Sequence, residues 1–185
     1  MAIRTIADIC VAGLLADLET EFARTVAGET LEVGVLRAGE LQENPVNPKI
    51  SVLVKHNEPG TDGWRDGSVA QRDEALERHA IDIPAFEVGG SAMWWRRFLI
   101  EWSMFGTKTK ETREEARQLA ETIAARVERA VLASTNVTTS PPDDFGETPI
   151  KVFHVDSKME ESGGPPKSFI WRGWVRVQVL TNRPI

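Results

Sequence analysis

The chain has 185 residues, 41% of them hydrophobic and 27% charged, which is the composition of one soluble globular domain spanning residues 1–185. Its net charge of -6 disfavours a general nucleic-acid binder, because such proteins neutralise phosphates with basic side chains. Cys10 is the only cysteine, which excludes a disulfide framework and a CxxC zinc site. The sequence shows neither a signal peptide nor an apolar run of about 18 residues, so we expect a protein made in a cytosol-like compartment and held outside membranes.

The first predicted element is a helix over residues 3–27, ended by Gly28. Its apolar stripe recurs at helical spacing and consists of Ile3, Ile6, Ala7, Cys10, Leu14, Leu18 and Phe22. Within that stripe the cysteine is interpreted as a small buried hydrophobe rather than a reactive thiol. Two strands are predicted next, a short one over residues 31–37 and a more regular one over 49–56, with a proline-containing turn between them.

The regular pattern fades between Asn57 and Ser91, where turn residues and a polar stretch alternate. A connection of about 35 residues is far longer than the usual four to six, which is typical of a functional or covering segment. Two interpretations are open: an elaborated loop that projects from the sheet, or a segment that covers one edge of the domain.

A long strand is predicted over residues 94–105, because side chains alternate with a period of two. One side is apolar except for Arg96 and carries Trp94, Phe98, Ile100, Trp102 and Met104. The other side is more mixed and carries Trp95, Arg97, Leu99, Glu101, Ser103 and Phe105. The first side is predicted to face the core.

A second helix is predicted from Thr112 to Ser134, with Thr112 and Glu115 in the pattern of a capping box. Its stripe of small apolar residues, suited to lie close on a sheet, comprises Ala116, Leu119, Ala120, Ile123, Ala124, Val127, Ala130 and Val131. The opposite side is predicted to be solvated and carries Glu114, Arg117, Gln118, Glu121, Arg126 and Glu128.

Two strands close the chain, over residues 150–155 and 168–181, and form a hairpin with a long loop over 156–167. The element order is therefore α, β, β, a long insertion, β, α, β, β. This order predicts an α+β domain in which a mainly antiparallel β-sheet has two long helices packed on one face and a loop insertion at about 57–91.

A search for catalytic chemistry finds no constellation. The three histidines, His56, His79 and His154, are far apart and in no metal-binding spacing. The paired glycines lack the context of a phosphate-binding loop, and the carboxylates of the loops are interpreted as solvated charge. We therefore predict no catalytic, cofactor-binding or metal-binding residue, and no enzyme activity.

Tryptophan is the residue type that stands out, with six copies and no tyrosine. Trp94, Trp102 and Trp171 fall on predicted core sides of their strands. The other sides carry two further tryptophans accompanied by arginines, a composition typical of a protein interface. The candidate interface residues are Trp95, Arg97, Arg172, Trp174 and Arg176. Stacking on nucleic acid and a purely structural role are the alternatives.

The order and texture of these elements resemble the tail terminator, or tail completion, proteins of long-tailed bacteriophages. The segments that carry the resemblance follow an N-terminal helix and are Asn47-Pro48-Lys49-Ile50-Ser51-Val52, Phe98-Leu99-Ile100-Glu101-Trp102, Thr112-Arg113-Glu114-Glu115-Ala116 and Trp171-Arg172-Gly173-Trp174-Val175-Arg176-Val177. The resemblance implies a subunit that assembles into a hexameric ring, caps the tail tube and docks on the head connector. It also implies a virion protein of the tail or neck, assembled in the host cytoplasm.

Three hypotheses follow. The first is a ring-forming tail terminator with itself, the tail tube protein and the connector as partners, and without sequence-specific nucleic-acid binding. The second is another neck adaptor or head-closure protein with the same interfaces. The third, of another class, is a small ligand-binding or enzymatic α+β domain with residues 57–91 as a lid.

Overall fold

The computed structural model describes residues 3–26, 28, 30–37, 49–55, 87–88, 91–107, 113–163 and 168–184. Most of the predicted insertion, the turn before the second strand, His56, His79 and the capping residue Thr112 lie outside these ranges. The elements are α1 (Ile6–Phe22), β1 (Gly34–Arg37), β2 (Lys49–Lys55), β3 (Glu87–Val88), β4 (Ser91–Thr107), α2 (Arg113–Leu132), β5 (Thr148–Gly163) and β6 (Ser168–Pro184).

The strands form one six-stranded sheet in the order β1-β2-β4-β6-β5, with β3 paired to β4. Only β1 and β2 pair in parallel; the other described pairs are antiparallel. β4 and β6 pair along their full length, from Ser91 opposite Pro184 to Thr107 opposite Ser168. The predicted α+β class and mainly antiparallel sheet are therefore confirmed.

Both helices pack on one side of this sheet, which we call the helix face and define by Phe98, Ile100 and Trp102 of β4 with Val175 and Val177 of β6. These side chains are buried in one core cluster with the apolar residues of α1 and α2. The predicted core sides of the long strand and of the last strand are confirmed. Cys10 lies in the same cluster and is fully buried, as its apolar interpretation requires.

The bounds of α1 differ from the prediction of 3–27. Thr5 caps the N-terminus, because its side chain accepts a hydrogen bond from the Asp8 backbone N–H and the Asp8 carboxylate accepts one from the Thr5 backbone N–H. The helix ends at Phe22 with Ala23 as its C-cap. Gly28 has a positive φ of 85° but lies beyond this cap, so it does not end the helix.

The predicted solvation of Arg126 is wrong, because this residue of α2 is only 5% exposed. Its guanidinium donates to the backbone carbonyls of Glu21 and Arg24 and pairs with the Glu21 carboxylate. Carbonyls at a helix C-terminus have no partner within the helix, so Arg126 supplies one to α1. Periodicity within α2 carries no information about a neighbouring helix end.

The two helices run antiparallel, since Glu21 meets Arg129 while Asp17 meets the segment that follows α2. The buried Asp17 carboxylate accepts hydrogen bonds from the backbone N–H of residues 135 and 136 and from the side chains of Ser134 and Asn136. It thereby holds the chain as it leaves α2.

Arg96, which interrupts the apolar side of β4, has a buried partner. Its guanidinium donates two hydrogen bonds to the Glu147 carboxylate, at 2.8 and 2.6 Å, and the Thr181 hydroxyl donates a third. Glu147 is 2% exposed, so its charge requires this compensation. The interruption is therefore a polar contact of the helix face, not an end of the strand.

The last two strands form the predicted hairpin, but the predicted loop over 156–167 is wrong for residues 156–163, which belong to β5. The pairing with β6 supplies backbone hydrogen bonds to polar residues of low strand propensity. Irregularities in the register fall between Pro149 and Lys151 and between His154 and Asp156. After the second irregularity, from Asp156 to Gly163, β5 pairs with β6 without interruption.

Candidate interaction face

The side of the sheet opposite the helices contains all five predicted interface residues. In the register of β4 and β6, Trp95 lies opposite Leu180, Arg97 opposite Gln178, Leu99 opposite Arg176, Glu101 opposite Trp174 and Ser103 opposite Arg172. Paired residues of antiparallel strands share a side of the sheet. We call this side the outer face and define it by these residues together with their β5 neighbours Phe153, Asp156, Lys158 and Glu160.

One half of the outer face is organised around Trp174. The Arg176 guanidinium carbon lies 4.4 Å from the centroid of the Trp174 ring, within cation–π range. The same guanidinium donates a hydrogen bond of 3.0 Å to the Asp156 carboxylate of β5. Lys158 is the β5 residue opposite Trp174. The half-buried Trp174 ring is therefore held in place beside a fixed positive charge.

The other half is organised around Trp95. Its ring meets Phe153 of β5 edge to face, with centroids 5.2 Å apart and an angle of 66°. The Lys151 ammonium lies 5.0 Å from the Phe153 centroid. Trp95 and Trp174 are six residue positions apart in the β6 register, about 20 Å along the strands. The outer face thus carries two aromatic clusters, each with a cation.

The two remaining predicted residues differ in exposure. Arg172 is exposed and lies opposite Glu160 of β5. Arg97 is 6% exposed and its neighbour Leu99 is 7% exposed. A period of two assigns Arg97 to a side of the sheet but does not indicate how deeply a central strand is buried. Arg97 therefore lies on the same side of the sheet as the other predicted residues, but its side chain is not exposed.

Phe153, Asp156, Lys158 and Glu160 complete the outer face and were not among the residues predicted from the sequence. The strand prediction for β5 stopped at residue 155, so the last three were assigned to a loop. The signal that identifies them is the register with β6, which pairs Phe153 with Gln178 and Asp156 with Arg176. That register depends on the irregularity before Asp156, which no simple alternation predicts.

Two pKa shifts among the described residues have causes in the packing and ion pairs of the fold. Burial raises the pKa of the Cys10 thiol to about 12, so the thiol stays protonated and non-nucleophilic at neutral pH. On the outer face, a hydrogen bond from Lys158 lowers the pKa of Glu160. No group of three or more potential metal ligands occurs in the part of the chain that the structure describes.

A groove of about 510 Å³ lies between the end of α1 and the chain that enters β1. Apolar side chains, including Phe22, Leu31 and Val33, form much of its lining, and its charged lining residues are Glu19 and Glu32. The groove is the place at which a small ligand would be sought under the ligand-binding hypothesis. Its described lining includes one hydroxyl, that of Thr30, and no histidine, cysteine or lysine.

Neither the models of known protein families nor the curated proteins include a match to this chain. The resemblance to tail terminators therefore stays a prediction. In the described residues, no helix has the length and apolar character needed to span a membrane.

Proposed function

We propose that this protein is a tail terminator of a long-tailed bacteriophage, whose copies form a ring that caps the tail tube and joins it to the head connector. The observation that carries the proposal is the asymmetry of the sheet. One side is sealed by two helices, while the outer face carries tryptophans and arginines typical of interface centres.

The geometry of the Trp174 half supports a role in binding. A flexible arginine loses side-chain entropy when a partner immobilises it. Arg176 is already held by the Trp174 ring and by Asp156, so much of that ordering precedes association. A preorganised aromatic and a charge at the same place favour a specific contact over non-specific adhesion.

The net charge of the chain and the symmetry of a ring both support a position in the virion neck. A ring subunit in a virion neck surrounds DNA during its passage, and a net charge of -6 avoids strong attachment to phosphates. Ring closure uses a head-to-tail contact, in which two different surfaces of each subunit meet. The outer face is proposed as one of those surfaces.

The first test is the mass of the purified chain by light scattering after size exclusion, followed by negative-stain imaging. We expect rings of about six subunits, either alone or after addition of tail tubes. A protein that stays monomeric in both conditions, and that does not cosediment with tubes, would contradict the proposal.

The second test removes the Trp174 half of the outer face. Trp174→Ala and Arg176→Glu are expected to abolish rings while the far-UV spectrum stays unchanged. Arg183→Glu is the matched control, because Arg183 is an exposed arginine of the same strand and lies outside the outer face. Normal rings from both outer-face variants would exclude this face from the ring contact.

Another neck adaptor would use the same face, so partner binding decides between the two structural functions. Binding to purified tail tubes with no binding to isolated connectors favours the terminator. The reverse result favours a head-closure protein. Saturable binding of a small molecule to the groove, lost in Leu31→Asp, would instead favour the ligand-binding hypothesis.

A further inference from the structure

Among the residues that the structure describes, the second half of β5 is paired with a strand on one side only. β5 is the last strand of the sheet, with β6 on one side. From Asp156 to Gly163 it pairs with β6 residue by residue, without the irregularities that interrupt residues 149–156. A regular edge presents a row of backbone N–H and C=O groups, which is a template for another strand.

The side chains at this edge have opposite charges two residues apart. Lys158 and Glu160 lie on the same side of the strand, are both 55% exposed, and are joined by an ion pair of 2.7 Å. Ser157 and Glu161 are exposed on the other side, and Met159 between them is half-buried. Met159 is therefore flanked by a positive charge on one side, Lys158, and a negative charge on the other, Glu160.

We propose that residues 157–161 pair antiparallel with the same residues of a second copy of this chain, about a two-fold axis at Met159. In this register Lys158 of each copy lies opposite Glu160 of the other, which gives two ion pairs between the copies. Ser157 lies opposite Glu161, so no like charges meet at that pair. Opposite charges in directly paired positions stabilise antiparallel strands.

Charge repulsion disfavours the two neighbouring registers in which side chains from the same face of each strand still lie opposite each other. An axis at residue 158 places two lysines opposite each other and sets Asp156 against Glu160. An axis at residue 160 places two glutamates opposite each other. Like charges in directly paired positions are destabilising. The axis at Met159 is the one of these three that pairs opposite charges without a repulsive pair.

The helices are compatible with this arrangement. α2 lies beside β5, since the Ser157 hydroxyl donates to the Glu128 carboxylate. An axis perpendicular to the sheet puts the α2 helices of both copies on the same side. With strands about 4.8 Å apart, helices centred over β5 and β6 of each copy are separated by about 10 Å, an ordinary helix packing distance.

This contact does not rest on the proposed function. It is isologous, with the same segment on both copies, whereas a ring closes through two different surfaces. Lys158 and Glu160 belong to both surfaces, but a ring contact made by the aromatic clusters of the outer face does not use the backbone groups of the β5 edge. The edge contact then joins two subunits of separate rings, or two free chains.

Disulfide trapping tests the register directly. Met159→Cys places two thiols across the axis, at the separation of about 5 Å that an antiparallel pair and a disulfide both require. The native Cys10 is buried and does not compete. After oxidation of the thiols by dissolved oxygen, we expect a covalent dimer of twice the 20.6 kDa chain mass on a non-reducing gel.

Ser157→Cys is the matched control. Its thiols would be separated by about 13 Å in this register, beyond the reach of a disulfide. Position 157 is the more exposed of the two, so random collision would favour its cross-link. A cross-link at 157 that equals or exceeds the one at 159 would overturn the proposal.

Charge exchange in the Met159→Cys protein tests the ion pairs. Adding Lys158→Glu should reduce the yield of covalent dimer about tenfold, because two attractive pairs become repulsive. Adding Glu160→Lys as well should restore the yield. Lys151→Glu, an equal charge change elsewhere on β5, should leave it unchanged.

The two proposals fail separately. Loss of rings in Trp174→Ala with intact cross-linking at 159 leaves the edge contact standing. Rings that form without cross-linking at residue 159 exclude the edge contact but do not contradict the proposed ring. A yield that does not respond to Lys158→Glu also excludes the proposed register.

Discussion

The two faces of the sheet differ in the partners that their arginine side chains bind. On the helix face, Arg96 binds the buried Glu147 carboxylate, and Arg126 binds the carbonyls that end α1. On the outer face, Arg176 rests between an aromatic ring and a carboxylate that is 44% exposed. The same residue type therefore stabilises the fold on one side and prepares a surface on the other.

This difference determines what each side contributes. Polar contacts of the helix face hold elements that are distant in sequence, and their loss leaves buried charge without compensation. Contacts of the outer face lie within a sheet that is already paired, so their loss leaves groups that water can reach. We expect stability to depend on the helix face and association to depend on the outer face.

The largest effect is expected for Glu147→Ala, which leaves the Arg96 guanidinium and the Thr181 hydroxyl without their acceptor. Because the Arg96 side chain is 29% exposed and partly reaches water, we expect a loss of about 2–4 kcal/mol in the free energy of unfolding by urea. Glu114→Ala is the control, since it removes an exposed ion pair of α2. Equal losses for the two variants would remove the distinction between the faces.

A smaller loss is expected for Gly173→Ala. A Cβ at residue 173 would lie 2.4 Å from the indole of Trp102, its partner on β4, so the ring has to shift within the core. Overpacking of this kind costs about 1–3 kcal/mol in the free energy of unfolding. Trp102→Phe in the same chain should recover part of the loss by removing the clashing ring. No recovery would mean that backbone conformation, rather than the clash, sets the requirement for glycine.

The cap of α1 should make a still smaller contribution that depends on pH. Hydrogen bonds from Thr5 and Arg37 lower the pKa of Asp8 below its ordinary value of 3.8. A carboxylate with a lowered folded-state pKa stabilises the fold above its unfolded-state pKa, and that stability is lost as the pH falls through the folded value.

Asp8→Ala should therefore reduce the free energy of unfolding at pH 7 by less than about 1 kcal/mol, since Asp8 and Arg37 are both partly exposed. The difference from the unsubstituted chain should shrink at an acidic pH well below 3.8, as the pH falls through the lowered folded-state pKa. Urea titrations at both pH values measure this. A difference that persists in acid would mean that the cap acts without its charge.

A small effect on stability, within about 1 kcal/mol in the free energy of unfolding of the monomer, is expected for Arg176→Glu, which replaces an ion pair with the partly exposed Asp156 by two like charges. The same change is expected to abolish assembly. Melting below the ring-forming concentration, compared with Arg183→Glu, separates the two effects. A loss as large as that for Glu147→Ala would place Arg176 among the residues that hold the fold.

Local periodicity was enough to predict most elements of the fold. The order of the two helices and the five longer strands, the stripe of α2, the core side of β4 and the side of the sheet that carries Trp95 and Trp174 follow from spacings of two or three to four residues, whereas β3 (Glu87–Val88) lies in the segment predicted as an insertion. Burial of Cys10 followed from the same pattern. Side-chain direction is periodic along the chain, so one sequence suffices to assign it.

The tertiary structure decided the contacts between elements that are distant in the chain. The burial of Arg126 required the end of α1 beside it, and the role of Arg96 required Glu147, 51 residues away. The length of β5 required the register of β6, which converted a polar segment into a paired strand and placed Asp156 beside Arg176. Such partners are fixed by packing and by backbone hydrogen bonds across the sheet, and no local period of the sequence encodes them.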